Sequence, residues 1–217
     1  MVNVLGIDEA GKGPVLGSLF ICGVLIEEKD TSKLKKIGVK DSKLLTHKKR
    51  IELAKEIKKI AKKYKIVQIK PEEIDKAVSH DHGMNLNWLE AHKTALIINE
   101  LNPDKAIIDC PSPNTRKYQE YLLNLLNNKN VELVVEHKAE KYYPVGAASI
   151  LAKCAREEEM DDIKKKYGNT GPGYSSNAIT QKFVKENFDR HPEIFRKSWS
   201  TWKNHAQAKN QKKLDEF

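Results

Sequence analysis

Asp8 and Glu9 stand together at the end of the apolar run Val4-Leu5-Gly6-Ile7, and a glycine-framed lysine, Gly11-Lys12-Gly13, follows at once. Asp109 closes a second apolar run, KAIID, and Glu136 and Glu140 come after a third, VELVV, near the end of that run. Three separate segments therefore carry acids to the ends of apolar runs. Clustered carboxylates repel one another and burial raises the cost, so such a group persists mainly where cations neutralise it. All-oxygen sites select hard ions such as Mg²⁺ or Mn²⁺, and two such ions can activate a water and stabilise the leaving oxygen of a phosphodiester. The same acids also read as ordinary helix caps and loop carboxylates. The glycines around Lys12 let backbone approach a ligand and present amides to phosphate or sugar oxygens, and they serve a tight hairpin turn equally well. His47, His92 and His137 are expected as solvated or capping residues, since hard ions prefer oxygen and two-metal hydrolysis needs no imidazole base.

The elements that must position these residues follow from periodicity. NVLGID and GSLFICGVLI read as a strand pair separated by a Gly/Pro turn. TSKLKKIGVKDSKLL is polar and reads as loop, after which Thr46 can cap a helix with Ile51, Leu53, Ile57 and Ile60 on its apolar side. YKIVQIK is a third strand, a short helix follows Pro71, and Leu86, Leu89, Ala95, Ile98 and Leu101 mark a longer one. Strand KAIID, helix NTRKYQEYLLNLLNN, strand VELVVEH and the long helix VGAASILAKCAREEEMDDIKKKYG complete an alternation, with further helical segments from Ala178. The order β-β-(α)-β-α-β-α-β-α predicts an α/β domain with a mixed sheet. In such sheets ligands bind at the carboxyl ends of strands, where Asp8, Glu9 and Asp109 stand.

Composition sets the partner class. Thirty-nine Lys and Arg against thirty Asp and Glu give a net charge of +9, which favours a polyanion, although the lysine-rich stretches also read as solvated helix faces. Positive surface for a phosphate backbone and an acidic pocket for metal make sense together. The three cysteines form no CxxC pair, so a reducing compartment is expected and a structural zinc is not. The longest nearly uncharged run, GPVLGSLFICGVLI, is too short to span a bilayer. A soluble, cytoplasmic protein without a membrane partner is expected, as a monomer.

Taken together, GIDEAGKGPVLG, VKDSK, IIDC, EHKAEKYYPVGAASILAK and GPGYSSNAITQKF resemble, in order and spacing, the type 2 ribonucleases H (ribonuclease HII), especially their archaeal branch. The resemblance covers about Val4 to Trp202. It implies a ribonuclease H-like mixed β-sheet flanked by helices, with a C-terminal helical extension. It also implies cleavage on the 5′ side of a ribonucleotide embedded in duplex DNA, or of RNA in an RNA/DNA hybrid, leaving 3′-hydroxyl and 5′-phosphate ends. Four acids bind the metals in that family, and the first three fall on Asp8, Glu9 and Asp109. The fourth is usually the aspartate of HKADAKYPV, and the matching position in HKAEKYYPV here is Glu140, with Glu136 as the fallback. The chain reads GKG where the family usually has GRG, a motif implied to recognise the ribose 2′-hydroxyl largely through backbone atoms, so Lys12 keeps the charge and loses arginine's fork. Tyr174 matches the tyrosine that stacks on the deoxyribose after the ribonucleotide, although SSN follows it here. Lys43, Ser149 and Lys153 match positions associated with backbone phosphates.

The segment QKKLDEF, Gln211 to Phe217, resembles the peptide by which replication and repair enzymes dock on the ring-shaped sliding clamp, with Leu214 and Phe217 as apolar anchors. The expected organisation is a catalytic domain over 1–177, a helical substrate-binding extension over 178–205 and a flexible tail over 206–217. A nuclease for pure hybrid or branched DNA and a non-catalytic nucleic-acid or clamp adaptor remain as alternatives.

Overall fold

A computed structural model describes residues 1–39, 45–79 and 84–214, with side chains as far as residue 208. Five strands form one sheet: β1 (Asn3–Ala10), β2 (Leu19–Glu27), β3 (Lys63–Ile69), β4 (Lys105–Asp109) and β5 (Glu132–Glu136), in the order β3-β2-β1-β4-β5. β1 and β2 pair antiparallel, whereas β1–β4 and β4–β5 are parallel, so the sheet is mixed, as the element order predicts. The strands alternate with α1 (Thr31–Lys36), α2 (His47–Ile60), α3 (Pro71–Val78), α4 (Leu86–Leu101), α5 (Thr115–Leu125) and α6 (Tyr143–Tyr167), followed by α7 (Ala178–Asn187) and α8 (Ser200–Leu214).

Most sequence expectations are met for visible reasons. Thr46 caps α2, its hydroxyl accepting the Lys49 amide. Every residue of β2 from Leu19 to Ile26 is buried, the mark of a strand covered on both faces. One expectation fails: the stretch from Thr31, read as loop, begins with the short helix α1, because Leu34 is fully buried and anchors it among Val24, Ile26 and Val39. A single apolar residue sets no period, so the pattern gives no warning.

Register assigns each sheet face. Val4 pairs with Lys105 and Gly6 with Ile107, so Val4, Gly6 and Asp8 share a face with Lys105, Ile107 and Asp109. α6 covers this face: Ala147, Ala148, Ile150 and Leu151 pack with Phe20, Cys22, Val24 and Ile26. Its small first half permits close approach, and Gly6 leaves room for it, since a Cβ there would meet the backbone of Pro144 and Val145. On the other face Gly23 admits Ile97 and Leu101 of α4.

The chain forms two compact units. The first comprises Met1–Ala10, Phe20–Gln68 and Leu86–Ala155, and so holds nearly the whole sheet. The second is assembled from Gly11–Leu19, Ile69–Asn85 and Arg156–Phe217, with its own core of Val15, Leu16, Met160, Ile163, Phe183, Val184, Ile194 and Phe195. The boundaries drawn from sequence follow chain order, whereas compactness groups the turn after β1 with the C-terminal helices. Helical backbone also continues to Leu214, past residue 206 where the tail is expected to begin. Among the described residues no helix is long and apolar enough to cross a membrane.

Candidate active site

Asp8, Asp109 and Glu140 come together in the first unit: one carboxylate oxygen from each lies within 4.8 Å of the others. Parallel pairing of β1 and β4 sets the first two at the same sheet edge and on the same face. Glu140 reaches them by a different device. After β5 the chain reverses through Lys138 in the left-handed conformation (φ 58°), and a single 3₁₀ turn, Ala139–Lys141, carries Glu140 back. The turn is tied to the site, because the Ala139 amide donates to Asp109 Oδ1 at 3.2 Å.

Asp8 is the buried member, 6% exposed. Burial pushes its carboxyl up to about 7, and the charges of Asp109 and Glu140 add to the rise, against hydrogen bonds from the Ser149 hydroxyl and the Glu9 amide that favour the ionised form. The Glu9 amide bond to Asp8 Oδ1 is 2.7 Å. Three acids so close, one of them reluctant to ionise, fit a hard divalent cation: every donor is a carboxylate oxygen, with no thiolate or imidazole in the set.

Two sequence ambiguities resolve here. Glu136, the fallback for the last acid, is engaged elsewhere: its Oε1 lies 3.0 Å from Lys141 Nζ, and that ammonium holds its carboxyl below the usual range. Glu140 is the acid that joins Asp8 and Asp109. Glu9 is not in the set, because successive residues of a strand point to opposite faces. Its charge instead helps burial raise the Tyr118 hydroxyl, on the α5 side of the sheet, together with Glu90. Ser149, expected at a phosphate, is buried with its hydroxyl on Asp8. Lys153 is half-buried on α6, and Lys43 lies outside the described residues. His92 pairs with the Tyr121 hydroxyl at 2.9 Å.

The distinction between the two glutamates is measurable. Glu140→Gln is expected to weaken Mn²⁺ binding by about tenfold or more, since even outer partners of metal ligands are worth that much. Glu136→Gln should stay within about twofold of the parent by calorimetric titration, because it touches Lys141 rather than the acid set. Equal losses in the two variants would refute the assignment.

The second unit gathers the remaining sequence-selected residues. Gly11 has φ +92°, and the space a Cβ would need is filled by the Arg156 side chain. Gly13 is exposed, Lys12 half-buried, and the nearest atom to a Cβ at Gly13 would be Tyr174 Cε1 at 3.9 Å. The Val15 amide donates to the Gly173 carbonyl at 2.9 Å, which ties the turn to the loop bearing Tyr174. Tyr174 is 37% exposed, and the Arg156 guanidinium lies 5.1 Å from its ring centroid while donating to the Pro172 carbonyl at 2.8 Å. Sequence reasoning missed Arg156, Arg196 and Trp199. Buried arginines that serve backbone carbonyls leave no periodic or motif signal. Gln211 and Leu214 fall within α8, but their side chains lie outside the described residues, as does Phe217 altogether.

The Ribonuclease HII family model matches residues 5–202. Ribonuclease HII of Pyrococcus furiosus is 41% identical over 226 residues, covering 100% of this chain and 98% of its own. That of Methanothermobacter thermautotrophicus is 41% identical over 205 residues, covering 92% and 97%. Among solved structures, ribonuclease H2 from Pyrococcus horikoshii OT3 gives a TM-score of 0.87 at 35% identity, covering 95% of this chain and 98% of that one. The PCNA:RNase HII complex from Archaeoglobus fulgidus gives 0.82 at 37% identity, covering 92% and 96%.

Proposed function

The chain belongs to the ribonuclease HII family, and from that premise we propose that it hydrolyses the phosphodiester 5′ of a ribonucleotide embedded in duplex DNA, and RNA in RNA/DNA hybrids. Its fold is the ribonuclease H-like mixed sheet flanked by helices. The proposed roles are ribonucleotide removal and RNA primer processing. The observation that carries the reading is the convergence of Asp8, Asp109 and Glu140.

Asp8, Asp109 and Glu140 would hold Mg²⁺ or Mn²⁺, whereas Glu9 faces the other side of β1 and stands outside that set. Ions held there would supply an activated water and charge stabilisation at the leaving oxygen. Ser149, through its hydroxyl on Asp8, keeps that carboxylate oriented and favours its ionised form. The Gly11-Lys12-Gly13 turn follows the Asp8-Glu9 pair by one residue in the chain and binds the ribose 2′-hydroxyl, while Tyr174 stacks on the next deoxyribose. Lys43 and Lys153 take backbone phosphates, consistent with the positive net charge.

The deciding assay uses duplex DNA carrying one ribonucleotide, with Mg²⁺ or Mn²⁺. A single cut 5′ of the ribonucleotide, leaving 3′-hydroxyl and 5′-phosphate ends, is expected, and no cut there would refute the reading. A sliding-clamp partner is proposed through Gln211, Leu214 and Phe217, supported by the Archaeoglobus relative's complex with PCNA. Truncation after residue 210 should abolish clamp binding in a pull-down and leave cleavage of short duplexes intact; undiminished binding would discard the tail's role.

A further inference from the structure

The turn Gly11-Lys12-Gly13 is held from behind by one side chain. Arg196 is fully buried, and its guanidinium donates to three carbonyls: Nη2 to Gly11 at 2.6 Å, Nη1 to Lys12 at 2.7 Å and Nε to Gly17 at 2.9 Å. Trp199 stacks on that guanidinium, 5.0 Å from centroid to carbon, and its indole N–H donates to the Gly13 carbonyl at 3.1 Å. Every carbonyl of the turn is thereby fastened by the Arg196/Trp199 pair. The pair is itself fixed, because the Arg196 amide donates to the Val15 carbonyl and Asp75 accepts the amides of Lys197 and Ser198. Burial and the neighbouring Arg156 pull the Arg196 guanidinium down to about 10, which leaves it charged at neutral pH.

Peptide planarity turns this clamp into a statement about donors. In a trans peptide the carbonyl of one residue and the amide N–H of the next point in opposite directions. Fixing the Gly11 and Lys12 carbonyls toward Arg196 therefore fixes the Lys12 and Gly13 amides away from it. The series ends there, because residue 14 is proline and has no N–H. A buried cation behind the carbonyls also polarises both peptide groups and strengthens their amides as donors.

We infer that Arg196, supported by Trp199, is the positioning residue that aims the Lys12 and Gly13 amides, and that it thereby sets selectivity for a sugar 2′-hydroxyl. The inference rests on the function proposed above and adds the residues that enforce it. Arg196→Lys keeps the charge and loses the planar fork, so it cannot hold three carbonyls at once.

The test compares kcat/KM on two DNA duplexes, one with a single ribonucleotide and one with a 2′-fluoro nucleotide at the same position. Arg196→Lys is expected to lower the ribonucleotide-to-fluoro ratio by between about tenfold and a hundredfold, chiefly through kcat on the ribonucleotide substrate. Its Mn²⁺ affinity and its affinity for an all-DNA duplex should stay within about twofold of the parent, which a general loss of folding would not allow. Trp199→Phe, which removes one N–H and keeps the ring, should lower the same ratio by about threefold to tenfold, and it carries the test if the lysine variant does not fold. Parental selectivity in either folded variant overturns the inference. A parent enzyme that makes no cut at the ribonucleotide overturns the function instead.

Discussion

Asp8→Asn is expected to lose cleavage by about a thousandfold or more while still binding the duplex, and in metal-free buffer to be more stable than the parent. Both effects have one cause. The Asp8 carboxyl ionises near 3.8 in an exposed chain and near 7 in the folded protein, where burial and two neighbouring acids oppose its charge. Between those values the folded state binds a proton that the unfolded state lacks, so stability falls as pH rises from about 4 to about 7 and stays low above it. The full deficit is about 4 kcal/mol at pH 8 and vanishes below pH 4. Asparagine has no proton to lose, so the gap in melting temperature between variant and parent should widen from pH 5 to pH 8 with chelator present. Adding Mn²⁺ should raise the parent's melting temperature and not the variant's. Parallel pH slopes for the two proteins would show that Asp8 is not the strained acid.

Gly6→Ala should be the most damaging single methyl in the first unit. A Cβ at Gly6 would stand closer than 3.0 Å to the Pro144 carbonyl group and the Val145 nitrogen, all of them backbone. No rotamer change relieves a clash with a helix main chain, so β1 or the start of α6 must move. The expected cost is about 3 kcal/mol or more, roughly a 10 °C drop in melting temperature for a chain of this size. The shift also reaches the site, because α6 begins three residues after Glu140. Mn²⁺ affinity should therefore fall more than the lost stability alone explains. A variant that melts with the parent and binds Mn²⁺ as well would show that α6 does not rest on Gly6.

How much of this was legible beforehand depends on the scale of the cause. Alternation and helical spacing are local, and they place all five strands and the helices around them except α1. The acids at strand ends follow from the same pattern, so Asp8 and Asp109 are found by position. The choice between Glu136 and Glu140 is not local. It depends on Lys138 adopting a left-handed conformation and on Lys141 taking up Glu136, and a lysine gives no sign of either. Glu9 shows the reverse case: adjacency in sequence suggests a partner for Asp8, yet the strand's own two-residue period separates them. Arg196 and Trp199 were illegible because their partners are main-chain carbonyls some 180 residues away in the chain. The same long reach explains why the second unit, built from three segments, has no contiguous signature.

The two-residue period of β1 also limits how this protein can change in length. Inserting one residue anywhere between Asn3 and Ile7 would rotate everything beyond it by half a turn, sending the Asp8 carboxylate toward α4 and putting Ile7 opposite Cys22 in its place. Inserting two would restore the facing at the expense of one step of register against β4. Strand β1 is therefore counted in pairs, and odd insertions and deletions are closed to it.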